Sequence, residues 1–360
     1  MLNYFDYNSE FVLESGQSLP SFRLAYHTFG KLNEQKNNVV WICHALTANS
    51  NPLEWWDVLV GKNKVGENKT INTDEHFIIC VNILGSCYGS TNALSENPNS
   101  EQKGQPFYHN FPFFTIRDIV NSIDLLRKEL QKNLGFDKIW LCIGGSMGGQ
   151  QAMEWAIKEP NLIENLALIA TNAKHSAWGI AFNSSQRLAI ENDSTWKTDN
   201  KNAGINGMKV ARSIALLSYR NYEAYNLTQT NDDERTQNFS SESYQVYQGE
   251  KLAQRFDAFA YYNLSKAMDS HDVGRNRGGI ENALSKIKAK TVIISITNDF
   301  LFPSEDQQIL AKYIPNSTYF EIKSPYGHDG FLLEGEKIGK ILEREVARGT
   351  RATNVIKLRI

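Results

Sequence analysis

Cysteine, long apolar runs and a surplus of charge of either sign are all scarce in this sequence, and each shortage closes off a class of protein. Four cysteines stand among 360 residues, none spaced as C-x-x-C. A disulfide framework is therefore not expected, and a reducing compartment is. Cys43, Cys80 and Cys142 lie in apolar runs, where cysteine behaves as a small hydrophobe. Cys87 sits in a Gly/Ser-rich turn and is the one thiol to examine for reactivity. No stretch approaches the roughly 20 apolar residues of a membrane helix. The opening MLNYFDYNSEFVLESG has neither a basic n-region nor an apolar core, so it does not read as a signal peptide. A cytoplasmic protein that spans no membrane is expected. With 38 basic and 40 acidic residues, the net charge of −2 gives no field that favours nucleic acid. Metal-ligand patterns such as H-E-x-x-H are missing, as are Walker A and G-x-G-x-x-G. No metal and no permanently bound cofactor are expected.

What is present has ordinary globular composition, 41% hydrophobic and 22% charged. Phe11–Glu14 and Phe22–Tyr26 read as a hairpin. Short Val- and Ile-rich runs follow at Val39–Cys43, Phe77–Ile83, Lys138–Ile143, Leu166–Ile169, Thr291–Ile296 and Thr318–Ile322. Several lack polar alternation, which marks strands covered on both faces of a parallel sheet. Helical spacing separates them at Thr115–Leu130, Gln150–Lys158, Glu305–Tyr313 and Glu334–Ala347. Alternation of this kind predicts an α/β fold, a mostly parallel sheet with helices on both faces. From 175 to 289 the rhythm stops. That stretch is polar, rich in Asn and Tyr, and reads as helices and loops. It is expected to be a helical cap inserted into a core made of 1–174 and 290–360. Segments 62–74 and 95–106 read as loops, and the tail Val346–Ile360 is basic.

The strongest chemical signal is Gly144-Gly145-Ser146-Met147-Gly148 between a strand and a helix. G-x-S-x-G in that setting is a nucleophile elbow, the mark of the α/β-hydrolase fold. The plainer reading, a glycine turn that only packs helix on strand, fits the pentapeptide but not its placement. A serine needs a base, and in this fold the order is Ser, acid, His. His328 lies in a Gly-flanked loop after the last strand, and Asp299 is the first carboxylate after the strand before it. Asp299 would orient His328 and stabilise its protonated form. A loop Asp that only satisfies backbone amides is the plainer alternative. The oxyanion donors are expected to be the backbone N–H groups of Met147 and of Leu46, in the loop Cys43-His44-Ala45-Leu46-Thr47.

These residues, with Asn82–Thr91, Thr115–Asp118, Gln150-Gln151, Ala181–Asn183, Ala211-Arg212, Ser218–Arg220, Ser270–Arg275 and Gly327–Asp329, resemble the homoserine O-acetyltransferase family, acyltransferases of methionine biosynthesis. The resemblance implies a ping-pong reaction. Ser146 takes acetyl from acetyl-CoA, a co-substrate, and passes it to the side-chain hydroxyl of L-homoserine. It also implies that Arg212, Tyr219 and Asp329 contact the amino acid, and that the protein is a homodimer through the cap. A guanidinium suits the acceptor's carboxylate, and Asp329 suits its ammonium. Without the resemblance, a solvated helix face, ordinary packing and a helix cap would explain those three residues. Succinyl-CoA as donor, serine as acceptor, and an esterase or thioesterase with the same triad are the alternatives. A binding protein without catalysis fits an intact elbow poorly.

Overall fold

In the computed structural model of the protein, the described residues are 1–65 and 68–346. The main sheet is built from β1 (Leu2–Tyr7), β2 (Phe22–Phe29), β3 (Val39–Cys43), β4 (Phe77–Val81), β5 (Ile139–Gly145), β6 (Ile163–Ile169), β7 (Lys290–Ile296) and β8 (Ser317–Ile322). Its eight strands run in the order β1-β2-β4-β3-β5-β6-β7-β8. β2 is antiparallel to both neighbours, and every pair from β4 to β8 is parallel. A strand in the middle of such a sheet has two apolar faces. Val39, Trp41 and Cys43 of β3 join the core on one face, and Val40 and Ile42 join the core on the other. Fully burying one such side chain contributes about 1.5–3 kcal/mol before conformational entropy is counted.

The expected opening hairpin does not form. Phe11–Val12 pairs instead with Ser18–Leu19 in a separate two-stranded unit. The partner of β2 is β1, whose residues alternate between exposed and half-buried and so give little apolar signal. Phe11 still reaches the core, with its ring 4.9 Å from that of Phe22. In the polar segment 62–74, Ile71–Asn72 pairs in parallel with Val60–Gly61. Residues 347–360, which hold most of the basic tail and the last residue expected in the final helix, lie outside the described residues.

Among the described residues, four helices of ten or more residues cover the sheet, and five of eight or more, together with the short Ile280–Leu284, lie between β6 and β7. α1 (Ile116–Leu134) and α2 (Met147–Lys158) pack on one face. The five are α3 (Ala177–Glu191), α4 (Ile205–Tyr219), α5 (Tyr222–Gln229), α6 (Ser240–Ala253) and α7 (Ala258–Asp269). α8 (Ser304–Tyr313) and α9 (Gly335–Val346) complete the order. Among the described residues no helix is long and apolar enough to cross a membrane. All four cysteines are free. Burial pushes the Cys87 thiol up to about 12, so it is no nucleophile at neutral pH.

The chain leaves β6 and returns towards β7 through two segments laced together. The Val273 amide donates to the Ala173 carbonyl at 2.9 Å, and the His175 amide to the His271 carbonyl at 2.9 Å. Lys174 and Asp272 form an ion pair at 3.1 Å. Burial lowers the His271 pKa to about 3, so its neutral ring donates from Nε2 to the Asn172 carbonyl at 2.9 Å. Arg117 of α1 donates to the carbonyls of Asp272 (3.1 Å) and Arg275 (2.7 Å), and to Glu154 of α2 (3.0 Å). Arg277 supplies a second guanidinium to Glu154, with one bond at 2.8 Å.

Glu154 is almost fully buried, and its two arginines are largely so. Glu154→Ala leaves both cations without this counter-ion, and a loss of roughly 3 kcal/mol in urea unfolding is expected. Glu336→Ala, which breaks only an exposed pair with Lys340, is expected to unfold with the parent. If the two variants lose equal stability, the buried charges are not what anchors this region.

Candidate active site

The carboxyl ends of the central strands lie level. Cys43 pairs with Gly144, Ile169 with Gly145, and Ile296 with Ile322. Loops that leave these ends therefore share one rim, where ligands of open α/β sheets bind. Ser146 follows β5 directly and holds φ 57° and ψ −128°. A non-glycine residue at such a φ costs on the order of 1–3 kcal/mol and persists only where its surroundings impose it. The Ser146 amide donates to Ile169 (3.0 Å), and its carbonyl accepts from the Thr171 hydroxyl (2.8 Å). A methyl at Gly144 would come within 2.3 Å of the Gly148 carbonyl, and one at Gly148 within 2.1 Å of the Cys43 carbonyl oxygen. The turn is therefore closed to larger residues on both sides of the serine.

His328 reaches Ser146 from a short turn after β8. Its Nε2 lies 2.9 Å from Ser146 Oγ, and its Nδ1 2.7 Å from Asp299 Oδ2. Asp299 Oδ1 accepts the amides of Leu301 (3.0 Å) and Phe302 (2.9 Å), which fixes the carboxylate. Since Asp299 Oδ2 accepts, His328 Nδ1 carries the proton and Nε2 is free to accept from the serine hydroxyl. All three side chains are buried. Phe302 stacks on the imidazole at 5.0 Å, and Phe331 lies at 5.2 Å. Asn298, just before the carboxylate, holds φ 62°, a conformation asparagine tolerates better than most residues.

Met147 is the first residue of α2, where an amide has no intrahelical acceptor. Leu46 is buried in the loop after β3. Gln151 donates from Nε2 to the carbonyls of His44 (3.0 Å) and Met147 (3.2 Å), and so ties that loop to the elbow. Burial pushes His44 down to about 4. Its neutral ring accepts the Ile83 amide on Nε2 (3.3 Å), with Nδ1 2.8 Å from the Ala45 carbonyl. His44 thus holds the loop and has no free nitrogen for proton transfer.

From the insertion, α4 brings Arg212 and Tyr219 to this rim. The Tyr219 ring lies 5.8 Å from that of His328, and the Arg212 guanidinium sits 5.4 Å over Tyr219. Asp329 follows His328, and its nearest cation is Arg220, with Nε 3.2 Å from Oδ2. Burial pushes the Asp329 carboxyl up, and Arg212, Arg220 and His328 pull it back. Among the described residues, no carboxylate lies within ion-pairing distance of Arg212. Arg220, Gln151 and Phe302 escape a reading of the sequence. Arg220 and Gln151 sit inside stretches that carry the family resemblance, which is the only signal that could have drawn attention to them. Among the described residues no group of three or more His, Cys, Asp or Glu side chains could hold a metal ion.

Residues 38–335 match the family model described as the alpha/beta hydrolase fold. The homoserine O-acetyltransferase of Cyclobacterium marinum is 48% identical over 331 residues, 92% of this chain and 91% of that protein. The crystal structure of the homoserine O-acetyltransferase of Bacillus anthracis superposes with a TM-score of 0.84, covering 98% of this chain and 99% of that one at 24% identity. An acetylester hydrolase from Corynebacterium glutamicum superposes nearly as well, with a TM-score of 0.80, covering 96% of both chains at 24% identity. The last two likenesses speak for the fold alone, since transferase and hydrolase share it. Identity close to one half along nearly the whole chain goes further, and by it this chain belongs to the homoserine O-acetyltransferase family of α/β-hydrolase-fold proteins.

Proposed function

We propose that this protein moves an acetyl group from acetyl-CoA to the side-chain hydroxyl of L-homoserine through an acetyl ester on Ser146, and so serves methionine biosynthesis. Beyond family membership, the observation that carries this reading is Asp329. It sets a carboxylate one residue past His328, with Arg212 and Arg220 facing it. An esterase has no use for such a set, whereas an acceptor with an ammonium and a carboxylate does.

The first half-reaction begins when His328 Nε2 takes the Ser146 proton and Oγ attacks the thioester carbonyl. The N–H groups of Met147 and Leu46 hold the oxyanion. The C–S bond breaks, and the departing sulfur takes the proton from the imidazolium. In the second half, His328 Nε2 takes the proton of the homoserine hydroxyl, whose oxygen attacks the acetyl ester. Ser146 leaves and recovers its proton. Asp299 keeps the imidazole in the required tautomer throughout. Asp329 receives the acceptor's ammonium, Arg212 its carboxylate, and Tyr219 walls the space between them. Holding the hydroxyl in line favours it over water by as much as about 7–11 kcal/mol, and excluding water adds to this.

In this reading the described residues of 1–174 and of 290–346 form the core and 175–289 a cap over the rim. The donor is a cytoplasmic metabolite, which suits a cytoplasmic enzyme. The cap leaves Val210, Leu217, Tyr222, Leu227, Val246 and Tyr247 exposed on α4, α5 and α6. A surface this apolar calls for a partner, and a second copy through the cap is proposed.

CoA release from acetyl-CoA is expected to accelerate at least tenfold when L-homoserine is added. Equal rates without it would make the protein a thioesterase, and faster turnover with succinyl-CoA or L-serine would reassign donor or acceptor. Mixed with acetyl-CoA alone, the protein is expected to gain one acetyl by intact mass, and Ser146→Ala is expected to gain none. An adduct on the variant would move the nucleophile elsewhere. Sedimentation at micromolar concentration is expected to give a dimer, and Leu217→Asp with Val246→Asp a monomer. A monomeric parent would leave the apolar face unexplained by self-association.

A further inference from the structure

Asp329 carries more positive charge around it than an ammonium site needs. Arg220 touches it through one nitrogen only, Nε to Oδ2 at 3.2 Å, and its guanidinium sits 5.1 Å over the Tyr244 ring. Arg212 faces the same carboxylate from α4 without touching it. The other titratable groups that face Asp329 are His328 beside it, Tyr219 on α4, Tyr225 on α5 and Tyr244 on α6. Burial raises all three phenols, so they stay neutral at physiological pH. The hydroxyl of Tyr225 is buried without a hydrogen-bond partner. The turn that carries Arg220 is held against the base itself. A methyl on Gly327 would lie 3.4 Å from the Tyr219 carbonyl oxygen and 3.5 Å from the Asn221 amide nitrogen.

We propose that Arg220 is the standing counter-ion of Asp329, a positioning residue that holds this carboxylate charged and aimed while the acceptor site is empty, and that yields the contact to the ammonium of an incoming amino acid. The inference rests on the reading of Asp329 as the ammonium site. A single N–H contact releases more easily than a bidentate fork, and the Tyr244 face offers the displaced guanidinium a second resting place. If the Arg220 charge is removed, burial acts on Asp329 with only Arg212 and His328 to oppose it. The acid form then persists to higher pH, and a protonated Asp329 has no charge to offer an ammonium.

Acceptor binding is intact above the Asp329 pKa and is lost as pH falls through it. Arg220→Gln, assayed with L-homoserine between about pH 6 and about pH 8, is expected to raise the acceptor KM at least tenfold at the acid end and less at the alkaline end, relative to the parent at each pH. Intact mass after mixing with acetyl-CoA is expected to show that the variant still gains one acetyl, which shows that it is folded and its triad assembled. Arg220→Lys is expected to restore most of the acceptor KM. An acceptor KM that is unchanged, lowered, or raised equally at every pH would overturn the proposal. A parent that fails to acetylate homoserine would instead sink the reading of the function, so the two failures are separable.

Discussion

The arrangement depends on one constraint: a serine hydroxyl, an imidazole and a carboxylate from distant parts of the chain must lie within hydrogen-bond reach. Ser146 and His328 are 182 residues apart. The parallel register of β5, β6, β7 and β8 brings them together by ending these strands on one rim. The backbone at Ser146 then supplies the last part of the geometry. Its positive φ points the hydroxyl off the sheet, and close contacts between Gly148 and the β3 loop leave the turn little alternative. Core packing far from the rim thereby sets distances of a few ångström at it.

Charge is arranged with similar economy. The deeply buried histidines His44, His175 and His271 are kept neutral by burial, and each has a backbone or side-chain partner. Glu154 shares its charge between two arginines. At the rim, Asp329 likewise faces two cations, Arg220 and Arg212, and the Tyr225 hydroxyl near them is buried without a hydrogen-bond partner. Excess charge and unpartnered donors are costly inside a finished core. Under the proposed function, the ammonium and carboxylate of the acceptor would meet Asp329 and Arg212 there.

Much of the framework is legible in the sequence because buried parallel strands leave unbroken apolar runs, as in Val39–Cys43 and Thr291–Ile296. β1 escapes notice because an edge strand with half-exposed residues carries little such signal. Ser146, Asp299 and His328 can be picked out by position relative to strand ends, and the fold places them in hydrogen-bonded contact. Phe302, Gln151 and Arg220 cannot, since their partners are distant in the chain: a ring, two carbonyls and a carboxylate. A pattern of residue types marks the groups that need a particular position, but not the neighbours that hold them there.

The lacing at residues 172–175 and 271–273 has a consequence for how this molecule could change over time. The long helical excursion begins and ends at almost the same point, sealed by Ala173 with Val273 and His175 with His271. Seen from the sheet, everything beyond that seam is a single side branch on an uninterrupted scaffold. The branch still packs on that scaffold, since Trp196, Met208 and Phe259 share one apolar core with Trp41 and Ile293 of the sheet. A change confined to the branch would alter the groups that lie over the rim, while the register of β5 to β8 still ends at the hydroxyl, imidazole and carboxylate.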